Sequence, residues 1–325
     1  MKRFKFGFLT INHLEGECMI HILFIAEDTS QLLNKNFYYL EQELVKLAHV
    51  TFWRKNGHIS SILKKLSIRP DFILVLNDIG KKFSPRIKGL ANIDIPVGLF
   101  INDVHRFTNL RRNFISKNKI PFLFTIARDK FIEIYPEFQY KMEWFPHFVN
   151  TKIYRDYHEQ KNIHLLMMGA VNDIYPLRKK IRNTYKEDSN FVYHKHPGYK
   201  SFNEQEETQH FIGSYYAKEI NRAKIFFTCP SIYYYPVRKY FEVLACNTLL
   251  LAPTFKELED LGFIPGTHFV PIDENNFAEK AAYYLENETK RQQIAEQGYH
   301  FIYENHSVKK RARQLIKKME SIVFK

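Results

Sequence analysis

Acidic residues are in short supply. The 35 Asp and Glu stand against 48 Lys and Arg, which leaves a formal charge of +13. A balance this basic argues against cationic partners and for anionic ones: nucleotides, phosphorylated lipids, nucleic acid or an acidic membrane surface. A solvated, lysine-rich exterior with no partner accounts for it equally well. Cysteine is scarce too. Cys18, Cys229 and Cys246 are odd in number and widely spaced, which excludes a disulfide framework and a thiolate zinc site and suits a cytoplasmic setting. With 12 Gly and 13 Pro among 325 residues there is little linker or low-complexity sequence. No fixed-period repeat occurs. No apolar run reaches the length of a membrane span. The basic opening "MKRFKFGFLTINHLEGEC" lacks the apolar stretch of a signal peptide, and residues 1–18 read as an extension ahead of the first strand.

What is present is apolar in a repeating way. Hydrophobic residues make up 45% and aromatic ones 16%, enough to fill two cores in a chain too long for one ordinary domain. Short apolar runs end in polar residues: "IHILFIAED" (20–28), "VTFWR", "PDFILVLND" (70–78), "IPVGLFIND" (95–103) and "IPFLFTIA" (120–127). Segments with helical spacing separate them, among them 29–50, with Leu33, Phe37, Leu40, Leu44 and Leu47 on one face and Thr29 or Ser30 as cap. Periodicity lapses over 140–162 and then restarts with "IHLLMMGA", "NFVYH", "KIFFTCP", "TLLLAP" and "HFVPID", again with helices between. The expected architecture is α/β, with two Rossmann-like doubly wound domains, 1–150 and 151–325, facing each other across a cleft. Ligands of such sheets bind beyond the carboxyl ends of the strands, where Asp28, Asp78, Asp103 and His105 gather.

The stretch "YYYPVRKYFEVLACNTLLLAP" (233–253) is mostly core-like, yet it holds Arg238 and Glu242 one helical turn apart. Pro236 suits a first helical position, so a helix is expected to begin near 236. A helix start at the carboxyl edge of a parallel sheet attracts anions. Arg238, with Tyr235 and Lys239 beside it, would hold a diphosphate, and Glu242 would accept both hydroxyls of a ribose. An ordinary surface ion pair is the plainer alternative, although Arg before Glu is its weaker order and the surroundings are apolar.

From "PVRKYFEVLACNTLLLAP" through "YYLENETKRQQIAEQGYHFI" to "SVKKRARQL" the sequence resembles the C-terminal domain of GT-B glycosyltransferases, closest to the spore-maturation CgeB-like group. Members share an arginine shortly before a Phe-Glu pair, a following Leu-Leu, and a later helix pair with "R-x-x-I-A-x-x-G". The likeness runs from about Ile163 to the end, and "MEWFPHFVNTKIYRD" is similar to the close of the family's N-terminal domain. The resemblance implies a nucleotide-diphosphate sugar donor, with a UDP-sugar expected, held by Arg238 and by Glu242 at the ribose. It implies transfer to a saccharide, lipid-linked or cell-surface glycan hydroxyl. Two departures stand out. Asn247 replaces a glycine, and Tyr234 stands where related retaining enzymes carry a second acid.

Gly169, after the first strand of the second domain, would let a phosphate approach the backbone. Arg178 adds charge there, or belongs to a basic solvated helix. In "YHKHPGY" (193–199), Tyr193 or His194 would line the base pocket, and no third ligand makes a metal site. No Asp-x-Asp occurs, so no metal or other cofactor is expected, and cations and amides must stabilise the leaving diphosphate. Asp103, directly or through His105, is the candidate base for the acceptor hydroxyl, with Asp78 as second choice. The basic amphipathic helix 307–323 either lies peripherally on an anionic membrane or, as in GT-B proteins, packs back on the N-terminal domain. A sugar epimerase, a glycosyltransferase of modified DNA bases and a non-catalytic nucleotide-sugar binder are the alternatives.

Overall fold

The computed structural model describes residues 19–76 and 85–324; Asp78 lies outside them. The N-terminal half builds a six-stranded parallel sheet from β1 (His21–Ile25), β2 (His49–Trp53), β3 (Phe72–Leu76), β4 (Val97–Ile101), β5 (Phe122–Thr125) and β6 (Met142–Trp144), in the order β2-β1-β3-β4-β5-β6. Ile22 of β1 pairs with Val50 on one side and Phe72 on the other. Every residue of β1, β3 and β4 is buried. Their runs are continuously apolar because helices cover both faces. Those helices are α1 (Asn36–Leu44), α2 (Ile59–Leu63), α3 (Thr108–Lys117) and α4 (Arg128–Ile134).

The second half repeats the plan. Strands β7 (Ile163–Gly169), β8 (Phe191–Lys195), β9 (Ala223–Phe227), β10 (Leu249–Ala252) and β11 (Val270–Pro271) form a parallel sheet in the order β8-β7-β9-β10-β11. Around it lie α5 (Pro176–Tyr185), α6 (Glu204–Gln209), α7 (Ser214–Asn221), α8 (Lys239–Ala245), α9 (Lys256–Asp260), α10 (Phe277–Glu286) and α11 (Glu288–Asn305). Gly298 lets α11 lie close on α8: a Cβ there would come 2.4 Å from the His268 carbonyl oxygen and 2.9 Å from Leu244. The last helix, α12 (Val308–Val323), returns to the first half and packs on α1. It buries Ala312, Leu315, Ile316 and Met319 and leaves most of its lysines on the outer face.

The carboxyl ends of the two sheets face each other. After β1, Asn34 Oδ1 accepts from Arg238 Nη1 at 3.0 Å. After β4, the His105 ring stacks on Tyr233 with centroids 3.7 Å apart. After β5, Arg128 pairs with Asp260 at 2.6 Å, and Glu257 accepts from the backbone N–H groups of Arg128 (3.0 Å) and Asp129 (3.1 Å).

Three local expectations change. Residues 29–35 are not helical; the helix starts at Asn36, and Thr29 Oγ1 reaches forward to accept from the Tyr38 N–H at 3.0 Å. The freed segment crosses to the second domain, where Leu32 bridges to Ser201 and Lys35 pairs with Glu207. Strand β6 and helix α6 were not expected; β6 is a three-residue edge strand, and α6 is fixed by a capping box between Asn203 and Glu206. Finally, α8 begins at Lys239, so Arg238 is its N-cap and Glu242 sits in its first turn.

Candidate functional site

A cavity of about 270 Å³ opens where the ends of β7 and β8, the start of α8 and the 209–213 loop converge, with Leu33 and Tyr154 closing it from the other side. β7 ends in Gly169 at φ +120°, a backbone angle that favours glycine. A Cβ at that position would stand 3.1 Å from Lys239 Nζ and 3.6 Å from Arg178 Nη1. The Tyr193 hydroxyl donates to the Gly169 carbonyl at 2.9 Å and holds the turn in place.

Positive charge dominates. Arg238 lies 3.4 Å from Glu242, whose carboxylate is only 3% exposed. Burial pushes the Arg238 guanidinium down, but the Glu242 charge prevails and holds it above its ordinary value. Lys239 has no hydrogen-bond or ion-pair partner among the described residues. Burial, then the Arg178 and Arg238 charges, push it down to about 7, against the pull of Glu242. His196 is pushed to about 4 by burial and by the same three cations. The Tyr216 hydroxyl is buried without a partner among the described residues, and burial together with Glu242 pushes it well up. Arg178, Arg238 and Lys239, with Lys195 on the lining and Glu242 as the carboxylate, make this concave, half-dry site a receptor for an anion.

The structure brings Gly169, Tyr193, Arg238, Lys239 and Glu242 to this cavity. Arg178 sits just behind it, 3% exposed, donating from Nη2 to Thr228 Oγ1 and to the Cys229 carbonyl, both at 2.9 Å. It also donates from Nη1 to the Ala170 carbonyl at 3.4 Å, so it ties the ends of β7 and β9 together while adding its charge and is not part of a solvated helix face. Tyr235 is not at the cavity: its ring joins the apolar cluster of the N-terminal half, because the loop before α8 is used there as a domain contact. Asp103 and His105 do not line the cavity either. Asp103 is exposed, 3.9 Å from Arg106. His105 is pressed between domains, and burial lowers its pKa although Asp103 partly offsets that. Both border the interdomain cleft, since the Asp103 charge is felt at Tyr175 and Tyr235. Asn247 occupies the left-handed region at φ +50°, a conformation asparagine tolerates. Its side chain donates to Asp156 at 2.9 Å, so the missing glycine is accommodated.

Residues that sequence reasoning passed over are Asn34, Tyr154, Phe211 and Tyr216, and His196 was weighed only as a metal ligand. His194 was considered; its Nε2 meets Glu219 at 2.8 Å and its ring packs on Phe211. Among the described residues no group of three His, Cys, Asp or Glu side chains could hold a metal ion, and no helix is long and apolar enough to cross a membrane.

Residues 159–317 match the family model described as glycosyl transferase-like. That matched region, just under half of the chain, is similar to a glycosyl transferase-like domain. The whole fold is shared with solved glycosyltransferases at low sequence identity. HepE of Anabaena, solved in complex with UDP-glucose, superposes with a TM-score of 0.64 at 9% identity, covering 94% of this chain and 100% of that one. An alpha-glucosyltransferase solved with UDP and a DNA containing an HMU base gives 0.60 at 13% identity, covering 95% and 100%. The sucrose-phosphate synthase of Thermosynechococcus elongatus gives 0.54 at 12% identity, covering 93% and 99%. The architecture is therefore GT-B, with the region matched by the family model lying in its C-terminal half. No curated protein sequence matches the chain.

Proposed function

We propose that the chain is a GT-B glycosyltransferase that takes a sugar from a UDP-sugar and transfers it to an acceptor hydroxyl presented by the N-terminal half. One observation carries this reading: Lys239, unpaired among the described residues and pushed to about 7, lies beside Gly169, Arg178 and Arg238 in a cavity that Glu242 also lines with a buried carboxylate. The donor pyrophosphate lies along Gly169 and the three cations. Glu242 accepts from the ribose hydroxyls, and the base lies toward Pro197 and Phe211. Charge develops on the leaving UDP as the glycosidic bond breaks, and fixed cations in a water-poor site stabilise it without reorganising. The neighbours solved with UDP or UDP-glucose support the choice of nucleotide.

The acceptor is a saccharide or lipid-linked hydroxyl. Its proton passes to Asp103 at the cleft edge, with His105 beside it. The +13 charge and the likeness to an enzyme solved with DNA support a modified base in DNA as a second acceptor class.

A thermal-shift panel of nucleotide sugars tests the donor assignment. UDP-sugars are expected to raise the melting temperature by mass action, and no shift with any of them would defeat the reading. Asp103→Asn is expected to lower sugar transfer by at least about tenfold with UDP-glucose affinity unchanged. Equal transfer rates would remove Asp103 from the chemistry.

A further inference from the structure

A second cavity, of about 440 Å³, shares no lining residue with the first. Its walls come from both halves of the chain: Trp144 and Phe145 at the end of β6, Leu261 after α9, and Lys310, Arg311 and Lys318 of α12. The charges of both Arg238, at the first cavity, and Arg311, at the second, act on the buried His147.

The charges around this cavity do not cancel. Lys318 is taken up by Glu143 at 2.5 Å, and Asp260 by Arg128 at 2.6 Å and by Lys256. Among the described residues Lys310 reaches only the Glu304 carbonyl at 2.8 Å and Asn305 Oδ1 at 3.3 Å. Arg311 is 6% exposed and has no carboxylate partner among the described residues. It donates to Gln314 Oε1 at 2.5 Å and to the His147 carbonyl at 3.4 Å, and its Nη2 lies 3.1 Å from His306 Nδ1. Two N–H groups of residues that line this cavity, Arg311 Nε and Trp144 Nε1, are buried and meet no acceptor among the described residues. One comes from each half of the chain. A buried guanidinium without a counter-charge and a buried donor without an acceptor both destabilise a fold. An oxyanion between the two walls would answer both.

We propose that this cavity is a second ligand site, for a small molecule bearing a phosphate or carboxylate group, held by Arg311 and the Trp144 indole at the seam between the domains. Because its walls belong to both halves, its ligand favours the arrangement in which the halves meet.

The chain has two tryptophans, and Trp53 is committed to the Lys55 carbonyl at 2.5 Å. The indole N–H resonances of ¹⁵N-labelled protein therefore read the site directly, with Trp144→Phe assigning the peaks. Inorganic phosphate and citrate are the probes, separating a phosphate ligand from a carboxylate one, with chloride at matched ionic strength as control. At least one oxyanion is expected to move the Trp144 resonance saturably while that of Trp53 stays. Arg311→Met should weaken the effect by roughly tenfold or more, and Arg238→Ala should leave it unchanged. A Trp144 resonance indifferent to both oxyanions, shifted equally by chloride, undiminished in Arg311→Met or lost in Arg238→Ala would overturn the proposal. If Arg311→Met does not fold, Lys310→Gln reads the same cavity: severalfold weaker binding supports the site, and unchanged affinity overturns it.

Discussion

Lys239 makes the donor assignment quantitative. With a pKa of about 7 in the free protein, it is about nine-tenths neutral at pH 8 and about one-tenth neutral at pH 6. A pyrophosphate within hydrogen-bond reach needs the ammonium form and holds it charged. Binding therefore takes up about 0.9 proton at pH 8 and about 0.1 at pH 6. The sign follows from linkage: the complex binds more protons than the free protein above pH 7, so affinity falls as pH rises. Between pH 7 and pH 9 the loss is ~50-fold if the bound lysine stays protonated throughout. UDP-glucose is the suitable probe, because its doubly esterified pyrophosphate does not titrate in this range. Calorimetric titrations at pH 8 in two buffers of different ionisation enthalpy count the protons. Lys239→Met should abolish the uptake, weaken binding at pH 6 by about 10- to 100-fold, and match or exceed the parent at pH 9, where the parent has itself lost about 90-fold. Because a largely buried cation without a partner among the described residues is removed, its melting temperature should rise rather than fall. Uptake near zero at pH 8 in the parent chain, or a pH slope that survives in Lys239→Met, would refute the placement of this lysine at the pyrophosphate.

Glu242→Ala should abolish UDP-sugar binding and also lower the melting temperature, since it strands Arg238 with Asn34 as its remaining hydrogen-bond partner; retained affinity would remove Glu242 from the site. Gly169→Ala meets both a φ of +120° and the Lys239 ammonium. It should cost about 1–3 kcal/mol in denaturant unfolding and weaken UDP-glucose binding, whereas a neutral result would show that the turn is not under constraint. Glu257, buried against the N-terminus of α4, is pushed up to about 7, chiefly by desolvation. Its folded pKa lies above the unfolded value, so its contribution is full below about pH 4.5 and is lost as pH rises through 7. Glu257→Gln should therefore gain on the parent by up to about 3 kcal/mol between pH 4.5 and 8, read as unfolding midpoints across that range; a constant difference would contradict the shift.

The apolar runs alone identified nearly all the strands, because a parallel strand covered on both faces must be hydrophobic throughout and few other segments are. They also marked the restart after residue 162 and hence a second domain-sized unit. Edge strand β6 escaped because three half-buried residues carry no such run. The α1 boundary escaped because Leu33 keeps helical spacing while its side chain serves the cavity instead. Arg238, Lys239 and Glu242 were legible since a single short helix start holds all three, and local spacing is what a sequence displays.

The sequence by itself determined two α/β units and a cluster of charge at one helix start. Only the tertiary structure decided what meets that cluster. Arg178 lies 61 positions before Lys239 in the chain, and Asn34 lies 204 positions before Arg238; nothing local records either approach. It likewise sent Tyr235 into the neighbouring domain's core and left His105 stacked on Tyr233 rather than inside the cavity. The physical reason is that local preferences act over one or two turns of chain, whereas burial and charge pairing act between whichever surfaces the folded sheets bring face to face.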